Sequence, residues 1–276
     1  MNKKQISLAH DDGIIDGIYL NAGPNTPFVI IINGHNGFYN YGMFPYVQET
    51  LALRNISSYS FNFSHGGIRG DADYFEDVVN YEKNCMRLEV EDVMCALHNL
   101  ASGKFENHAG IFLLSHSLGS VPAIFSAKKA QDENIVINGI VLASPVRQLN
   151  FWPREMLDDW KKNEVYYKKN NRTKQMLPQG KEFLNEVLES DSKWNVENEI
   201  KKLRQPVIII HGENDEAIPA DHGRSMFEWI QAVNKKSFFK IIPGATHTYN
   251  TKHPFEGTTP QLEEMINSVA WFIQSR

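Results

Sequence analysis

Ser117, His247 and Asp215 are the residues of this sequence that could act together as a nucleophile, a base and an acid. Each comes shortly after an apolar stretch: Ser117 after IFLLSH, Asp215 after PVIIIHG and His247 after FFKIIPG. A serine hydroxyl is a poor nucleophile unless a histidine takes its proton, and that histidine needs an acid to orient it. These residue types in this order therefore predict nucleophilic catalysis by a serine.

The residues around Ser117 predict a tight turn between a strand and a helix. An apolar run precedes Ser117, and apolar residues at helical spacing follow it. Such a turn lifts the hydroxyl above the sheet, near the first amides of the helix. The usual pattern is Gly-x-Ser-x-Gly, because strand and helix pass close to each other on either side of the nucleophile. Gly119 fits this pattern, whereas Ser115 replaces the first glycine, and a structural turn serine is the alternative.

Other residues compete for the roles of acid and base. Several carboxylates lie close to Asp215 in the sequence, and a second histidine follows His247 in an expected loop. The alternative acids are Glu213, Glu216 and Asp221, and the alternative base is His253. We interpret the remaining candidates, His65, His116 and His222, as structural or exposed residues.

The strands that precede these residues must position them. Residues 5–20 predict a hairpin turning at Asp11-Asp12-Gly13, and the runs FVIIING, SYSFNF, GIFLLS, INGIVLASP, PVIIIHG and FFKIIPG predict buried strands. Helices are expected at 44–54, 81–100, 118–130, 221–233 and 260–274. Because strands alternate with helices, we predict an α/β fold whose mostly parallel sheet is covered by helices on both faces. Sites in such sheets lie at the carboxyl ends of the strands, where the three residues fall.

The chain is predicted as a single domain, 1–276, with an insertion at 148–203. The inserted segment has no strand-like run and is too long for an ordinary loop, so we predict a helical cap over one edge of the sheet. Its aromatic residues are candidates for the wall of an apolar pocket that binds an acyl or aromatic group. These pocket candidates are Phe151, Trp152 and Trp160.

The insertion also carries a cluster of basic residues interleaved with tyrosines. Its members are Lys161, Lys162, Lys168, Lys169, Arg172 and Lys174. A solvated helix face is one interpretation of this cluster. The alternative is a lid surface that attracts anionic or aromatic substrates.

The sequence resembles the α/β-hydrolase superfamily, particularly bacterial serine esterases of the feruloyl- and cinnamoyl-esterase type with a lid after the sixth strand. The resemblance covers nearly all of the chain outside the insertion. It rests on the serine turn at 115–119, on His-Gly-x-x-Asp-x-x-Ile-Pro at 211–219, on PGAT before the histidine and on the order serine, acid, histidine. It implies a catalytic triad of Ser117, His247 and Asp215.

The resemblance also implies an oxyanion hole in the segment INGHNG, residues 32–37. The family usually has His-Gly-x here, and in this sequence Asn33 replaces the histidine. The backbone amides of His35 and Leu118 are the expected donors, because backbone N–H groups need no particular side chain. A tight glycine turn between strand and helix would use the same residues.

Composition and charge exclude several other classes of protein. The net charge is −5 and acidic and basic residues are interspersed, so no basic surface for nucleic-acid binding is expected. No apolar run is long enough for a membrane span or a signal peptide. The glycine-rich segment SHGGIRGDAD lacks a dinucleotide or Walker spacing, and the histidines lack metal-ligand spacing, so neither cofactor nor metal is expected. Cys85 and Cys95 are placed in one helix about 15 Å apart, too far for a disulfide, which predicts a cytoplasmic protein.

These observations predict a hydrolase that cleaves carboxylic esters through an acyl-enzyme on Ser117, with a small-molecule ester as substrate. Thioesterase or acyltransferase activity would need the same three residues and is the first alternative. A hydrolase-like fold that only binds a ligand is the second alternative.

Overall fold

The described residues, 2–105 and 108–276, form an eight-stranded sheet in the order β1-β2-β4-β3-β5-β6-β9-β10 in this computed structural model. Its strands are β1 Asn2–His10, β2 Gly13–Asn21, β3 Thr26–Ile32, β4 Ser57–Asn62, β5 His108–His116, β6 Gly139–Ala143, β9 Val207–Gly212 and β10 Phe238–Ile242. The pairs β1–β2 and β2–β4 are antiparallel, whereas the pairs from β4 to β10 are parallel. The predicted mostly parallel sheet is confirmed.

The central strands form because their apolar side chains are buried on both faces of the sheet. Every residue of β6 and β9 is buried, as are the last five residues of β3. Parallel strands covered by helices on both faces have this continuous apolar character. Strand β1, at the sheet edge, is mostly exposed.

Helices cover the sheet between these strands. They are α1 Phe44–Ala52, α2 Val78–Lys83, α3 Met86–Ala101, α4 Ser120–Asp132, α8 Asp221–Val233 and α9 Pro260–Gln274. Buried side chains from the two faces of the sheet fall into two large hydrophobic clusters, as expected for helices packed on both sides.

The single helix predicted at 81–100 is wrong, because the chain breaks between α2 and α3. Asn84 and Cys85 have extended backbone conformations, and α3 begins at Met86. The carboxylate of Glu186 accepts hydrogen bonds from the backbone N–H groups of Met86 and Arg87, which stabilises this helix start. Cys85 therefore precedes the helix that holds Cys95, and both thiols are free and buried.

The insertion at 148–203 is only partly helical. It contains α5 Arg154–Asn163, α6 Lys181–Leu188 and α7 Val196–Ile200, but also the antiparallel pair β7 Tyr166–Lys169 and β8 Met176–Gln179. The expectation of a segment without strands is therefore wrong. Each strand has only four residues and β7 is largely exposed, so the sequence contains no apolar run that would predict the hairpin.

No helix among the described residues combines the length and apolar character needed to cross a membrane.

Candidate active site

Ser117 lies at a strained bend between β5 and α4. A short 3-10 turn, Ser117–Gly119, connects the two elements, and Ser117 has a φ of +55°, a value that residues other than glycine adopt rarely. A Cβ at Gly119 would lie 2.4 Å from the carbonyl oxygen of Asn33, so glycine is required there. Ser115 is fully buried in the position where a glycine is usual, and its hydroxyl reaches the carbonyl of Val141 at 3.4 Å, so a serine fits.

The structure brings Ser117, His247 and Asp215 into one hydrogen-bonded chain. Nε2 of His247 lies 3.0 Å from Oγ of Ser117, and Nδ1 of His247 lies 2.8 Å from Oδ2 of Asp215. Ser117 follows β5, Asp215 follows β9 and His247 follows β10; β6 lies between β5 and β9, β10 is the outermost strand, and all four strands run parallel. The three are adjacent because parallel strands deliver their carboxyl ends to one place.

Asp215 is buried and accepts hydrogen bonds from three donors, Nδ1–H of His247 and two backbone N–H groups. Its Oδ1 accepts the backbone N–H groups of Ala217 and Ile218 at 3.0 and 2.8 Å, and its Oδ2 lies 3.3 Å from Nε2 of His211. Burial opposes ionisation of this carboxyl, but the interactions with His211 and His247 outweigh it and hold its pKa well below the usual range. The carboxylate therefore accepts Nδ1–H of His247 and leaves Nε2 free to accept the hydroxyl proton of Ser117.

The alternative acids and the alternative base do not contact this chain of residues. Glu213 accepts the backbone N–H of Gly244 instead, and Glu216 and Asp221 are exposed. His253 accepts the backbone N–H of Gly42 at Nδ1, and its ring stacks on Tyr41.

The turn after β3 packs directly against Ser117. A Cβ at Gly34 would lie 2.9 Å from Cβ of Ser117 and 3.5 Å from the backbone nitrogen of Leu118. The backbone N–H of His35, next in the chain, has no protein acceptor among the described residues. The turn thus places the backbone of His35 close to that of Leu118, the two amides expected to form an oxyanion hole.

The side chain of His35 is held by residues of the insertion. Nε2–H of Gln179, in β8, donates to Nε2 of His35 at 2.9 Å, so this ring nitrogen carries no proton. Burial, together with the positive charge of Lys168, lowers the pKa of His35 to about 4, which keeps the ring neutral. Phe183 stacks on the same ring. The insertion therefore fixes the turn that borders Ser117.

His116 ties the loop of the candidate base to the serine turn. Its Nε2–H donates to the backbone carbonyl of His247 at 2.9 Å, and burial lowers the pKa of His116 to about 3. The ring is therefore neutral and acts as a structural support, in agreement with its interpretation as a structural residue. Its role for the His247 loop has no signal in the sequence, because it depends on a contact between distant segments.

A cavity of about 260 Å³ opens beside Ser117. Its walls include Tyr41 and Phe44 from the segment after the His35 turn, Thr248 from the His247 loop, and the hairpin residues 170–172. A second cavity of about 60 Å³ shares Tyr41 and Phe44 with the first. Sequence reasoning missed Tyr41, Phe44 and Thr248 as wall residues, because none of them stands in a recognisable motif, whereas Arg172 belongs to the basic cluster singled out in the insertion.

The predicted pocket residues do not border this cavity. Trp160 is fully buried within the main hydrophobic cluster and packs against Phe183, so its assignment to the pocket is wrong. Trp152 lies between Trp160 and His35, and Phe151 stacks on the outer side of Trp152. These aromatic residues support the His35 turn from behind, since the chain folds them into the core that the insertion shares with the sheet.

Among the described residues, no group of three or more His, Cys, Asp or Glu side chains is arranged to hold a metal ion.

Comparisons with known proteins identify the family. Residues 29–259 match the alpha/beta hydrolase family, and a 150-residue stretch, 52% of the chain, is 27% identical to the human protein ABHD12B, of which it spans 38%. Among solved structures, Est1E from Butyrivibrio proteoclasticus with bound ferulic acid has a TM-score of 0.73 at 18% identity, covering 98% of both chains. A monoacylglycerol lipase from Paleococcus ferrophilus has a TM-score of 0.67 at 16% identity, covering 100% of this chain and 99% of its own. Since the family match spans most of the sequence, from β3 to the start of α9, the chain belongs to the alpha/beta hydrolase family.

Proposed function

We propose that this protein is a serine hydrolase that cleaves small carboxylic esters through an acyl-enzyme on Ser117. The observation that carries the proposal is the hydrogen-bonded chain from Ser117 through His247 to the ionised Asp215, at the edge of a cavity. A serine on a strained turn with a histidine nitrogen 3.0 Å from its hydroxyl has the arrangement that nucleophilic acyl transfer requires.

In the proposed reaction, Oγ of Ser117 attacks the ester carbonyl carbon while Nε2 of His247 accepts the hydroxyl proton. The carbonyl oxygen becomes an oxyanion, which accepts hydrogen bonds from the backbone N–H groups of His35 and Leu118. The tetrahedral intermediate collapses, the C–O bond to the alcohol breaks, and His247 returns the proton to the leaving oxygen. Water, deprotonated by His247, then releases the carboxylic acid from Ser117.

The cavity favours a substrate with modest acyl and alcohol groups. Its volume of about 260 Å³ is slightly smaller than that of most ligand pockets, which begin at roughly 300 Å³. Tyr41 and Phe44 offer aromatic contacts beside Ser117. Because the related Est1E binds ferulic acid, hydroxycinnamoyl esters belong among the first substrates to test. Both cysteines are free thiols, which supports a cytoplasmic location.

The experiment combines active-site labelling with a substrate panel. A fluorophosphonate probe should label the wild type at Ser117, and Ser117→Ala should lose both labelling and turnover. Ser115→Ala, a fully buried serine two residues away, is the matched control and should keep both. The panel contains p-nitrophenyl esters of two to twelve carbons, a feruloyl ester and an acyl thioester. Labelling of Ser117→Ala, or turnover of the thioester alone, would overturn the ester-hydrolase proposal.

A further inference from the structure

The hairpin β7–β8 carries one arginine to the wall of the catalytic cavity. Asn170, Asn171 and Arg172, in the turn of the hairpin, line the same cavity as Ser117. Oδ1 of Asn170 accepts the backbone N–H groups of Arg172 and Thr173, both at 3.0 Å, which fixes the shape of the turn.

The hairpin turn is also anchored to the body of the protein. The side-chain amide of Gln175 makes two hydrogen bonds with the backbone of Phe75: Oε1 accepts the N–H at 2.9 Å, and Nε2–H donates to the carbonyl at 2.8 Å. The guanidinium of Arg172 lies over the ring of Phe38, 5.0 Å from its centroid. The position of Arg172 is therefore defined by contacts on both sides of the hairpin.

Within residues 2–105 and 108–276, Arg172 makes no salt bridge. Its Nη2 is buried and has no hydrogen-bond partner, and no carboxylate of the described residues lies within 4.0 Å of the guanidinium. Asp73, Tyr41 and His253 are the titratable groups that sense its charge, and Asp73 is the acidic side chain among them. Burial lowers the pKa of Arg172, although arginine remains a cation at neutral pH.

An unpartnered, partly buried guanidinium beside a cavity is costly for the free protein. Removing a charge from water without a compensating hydrogen bond opposes folding, so such groups are usually paired or bind a ligand. A guanidinium presents a fork of N–H donors that matches a carboxylate with two parallel hydrogen bonds. The lysines of the basic cluster, in contrast, are exposed to solvent. Arg172 is thus the member of that cluster whose surroundings call for an anionic ligand.

We propose that Arg172 forms an anion-binding subsite that holds a carboxylate on the substrate, so that the preferred ester carries a negative charge on its acyl or its alcohol part. This inference rests on the proposed function, since it assigns the substrate class of the same site. The carboxylate supplies acceptors for the guanidinium N–H groups, and Tyr41, which lines the same cavity, contacts the adjacent carbon chain.

The test uses two pairs of esters, each with a charged and a neutral member. For the acyl part the pair is p-nitrophenyl hydrogen hexanedioate and p-nitrophenyl hexanoate, and for the alcohol part it is 4-carboxyphenyl butyrate and phenyl butyrate. Wild type, Arg172→Met and Lys174→Met are compared. Methionine keeps the contact with Phe38 and removes the charge. Lys174 is the matched control, because it is an exposed cation in the same hairpin turn.

We expect Arg172→Met to lower the charged-to-neutral ratio of kcat/KM by about 10- to 100-fold in at least one pair, as the loss of a charged hydrogen bond does. The affected pair shows which part of the substrate carries the carboxylate. Lys174→Met should leave both ratios within about twofold. Equal changes of charged and neutral esters in Arg172→Met, or equal effects of the two variants, would overturn the anion subsite.

A binding measurement separates this inference from the proposed function. Calorimetry on Ser117→Ala, with and without Arg172→Met, gives the Kd of monoethyl hexanedioate independently of turnover. Loss of affinity in the double variant supports the subsite even if no ester is hydrolysed. Equal affinity of the two variants refutes the subsite even if Ser117 is an active nucleophile.

Discussion

Asp215→Asn should nearly abolish activity because the structure dictates how an asparagine would be oriented. Oδ1 of Asp215 accepts two backbone N–H groups, those of Ala217 and Ile218, so this position must remain an oxygen. The amide nitrogen of the asparagine must then take the place of Oδ2, which faces Nδ1 of His247 at 2.8 Å. A donor there requires His247 to carry its proton on Nε2.

The magnitude follows from this change of tautomer. A histidine protonated on Nε2 cannot accept the proton of Ser117, although the distances between the residues are preserved. Substitution of the acid by its amide in a serine–histidine–aspartate triad costs about 10⁴-fold in kcat, equivalent to about 5 kcal/mol of transition-state stabilisation. We expect a loss of this size, since no other carboxylate of the described residues contacts His247.

The assay measures kcat and KM of wild type, Asp215→Asn and Glu213→Gln with p-nitrophenyl butyrate. Glu213 is the matched control, because it is a carboxylate of the same loop that accepts the backbone N–H of Gly244, and the activity of Glu213→Gln should stay within about twofold. Nitrogen-15 NMR of the imidazole should show the proton on Nδ1 in wild type and on Nε2 in Asp215→Asn. An Asp215→Asn variant with more than about a tenth of wild-type kcat would refute the reasoning.

Three further changes test other parts of the structure. Burial raises the pKa of Glu89 to about 8 in the folded protein. Between about pH 4.5 and 8 the unfolded chain has released this proton and the folded protein has not, so the free energy of unfolding falls by up to about 1.4 kcal/mol per pH unit as the pH rises. In urea unfolding, the free energy of unfolding should differ less between pH 5.5 and pH 7.5 for Glu89→Gln than for wild type. Gly119→Ala should lower the thermal midpoint by several degrees because of the 2.4 Å approach to Asn33, whereas Ser115→Gly should change stability by about 1 kcal/mol or less. Trp160→Ala should lower the free energy of unfolding in urea by roughly 3–5 kcal/mol, because the side chain is fully buried. The preference among acyl chain lengths should stay unchanged; an altered preference would show that Trp160 contributes to the substrate pocket.

The sheet and the juxtaposition of its chemical groups could be predicted because both depend on short-range patterns. Apolar runs of strand length define the buried strands, and parallel strands bring the residues that follow them to one edge. Ser117, Asp215 and His247 each stand within five residues of a strand end, so their positions follow from the strands alone. The catalytic roles of these residues stay a prediction until the variants are measured.

The strands of the insertion could not be predicted from the sequence, because they depend on contacts between distant residues. Strand β7 has exposed side chains and pairs with β8 across a turn, so its apolar pattern is too weak to indicate a strand. Residue type alone does not distinguish a tryptophan that lines a pocket from one that packs in the core, and Trp160 is fully buried. Arg172 lines the cavity because the hairpin packs against the body of the protein. Nothing in the run of basic residues distinguishes Arg172 from the exposed lysines beside it.

Hydrogen bonds join the insertion to the turn beside Ser117. Segments that are distant in the sequence therefore lie side by side in the wall of the cavity. Glu186 caps α3, and the backbone N–H of Gly180 donates to the carbonyl of Glu82 at 3.0 Å, so α6 is joined to the body of the protein at its first turn. Gln179, directly before that turn, bonds to His35. A displacement of the insertion would therefore also move the backbone beside Ser117. Substitutions at these joining contacts should accordingly affect turnover as well as substrate choice, whereas substitutions in a cap attached only by a flexible linker would affect substrate choice alone.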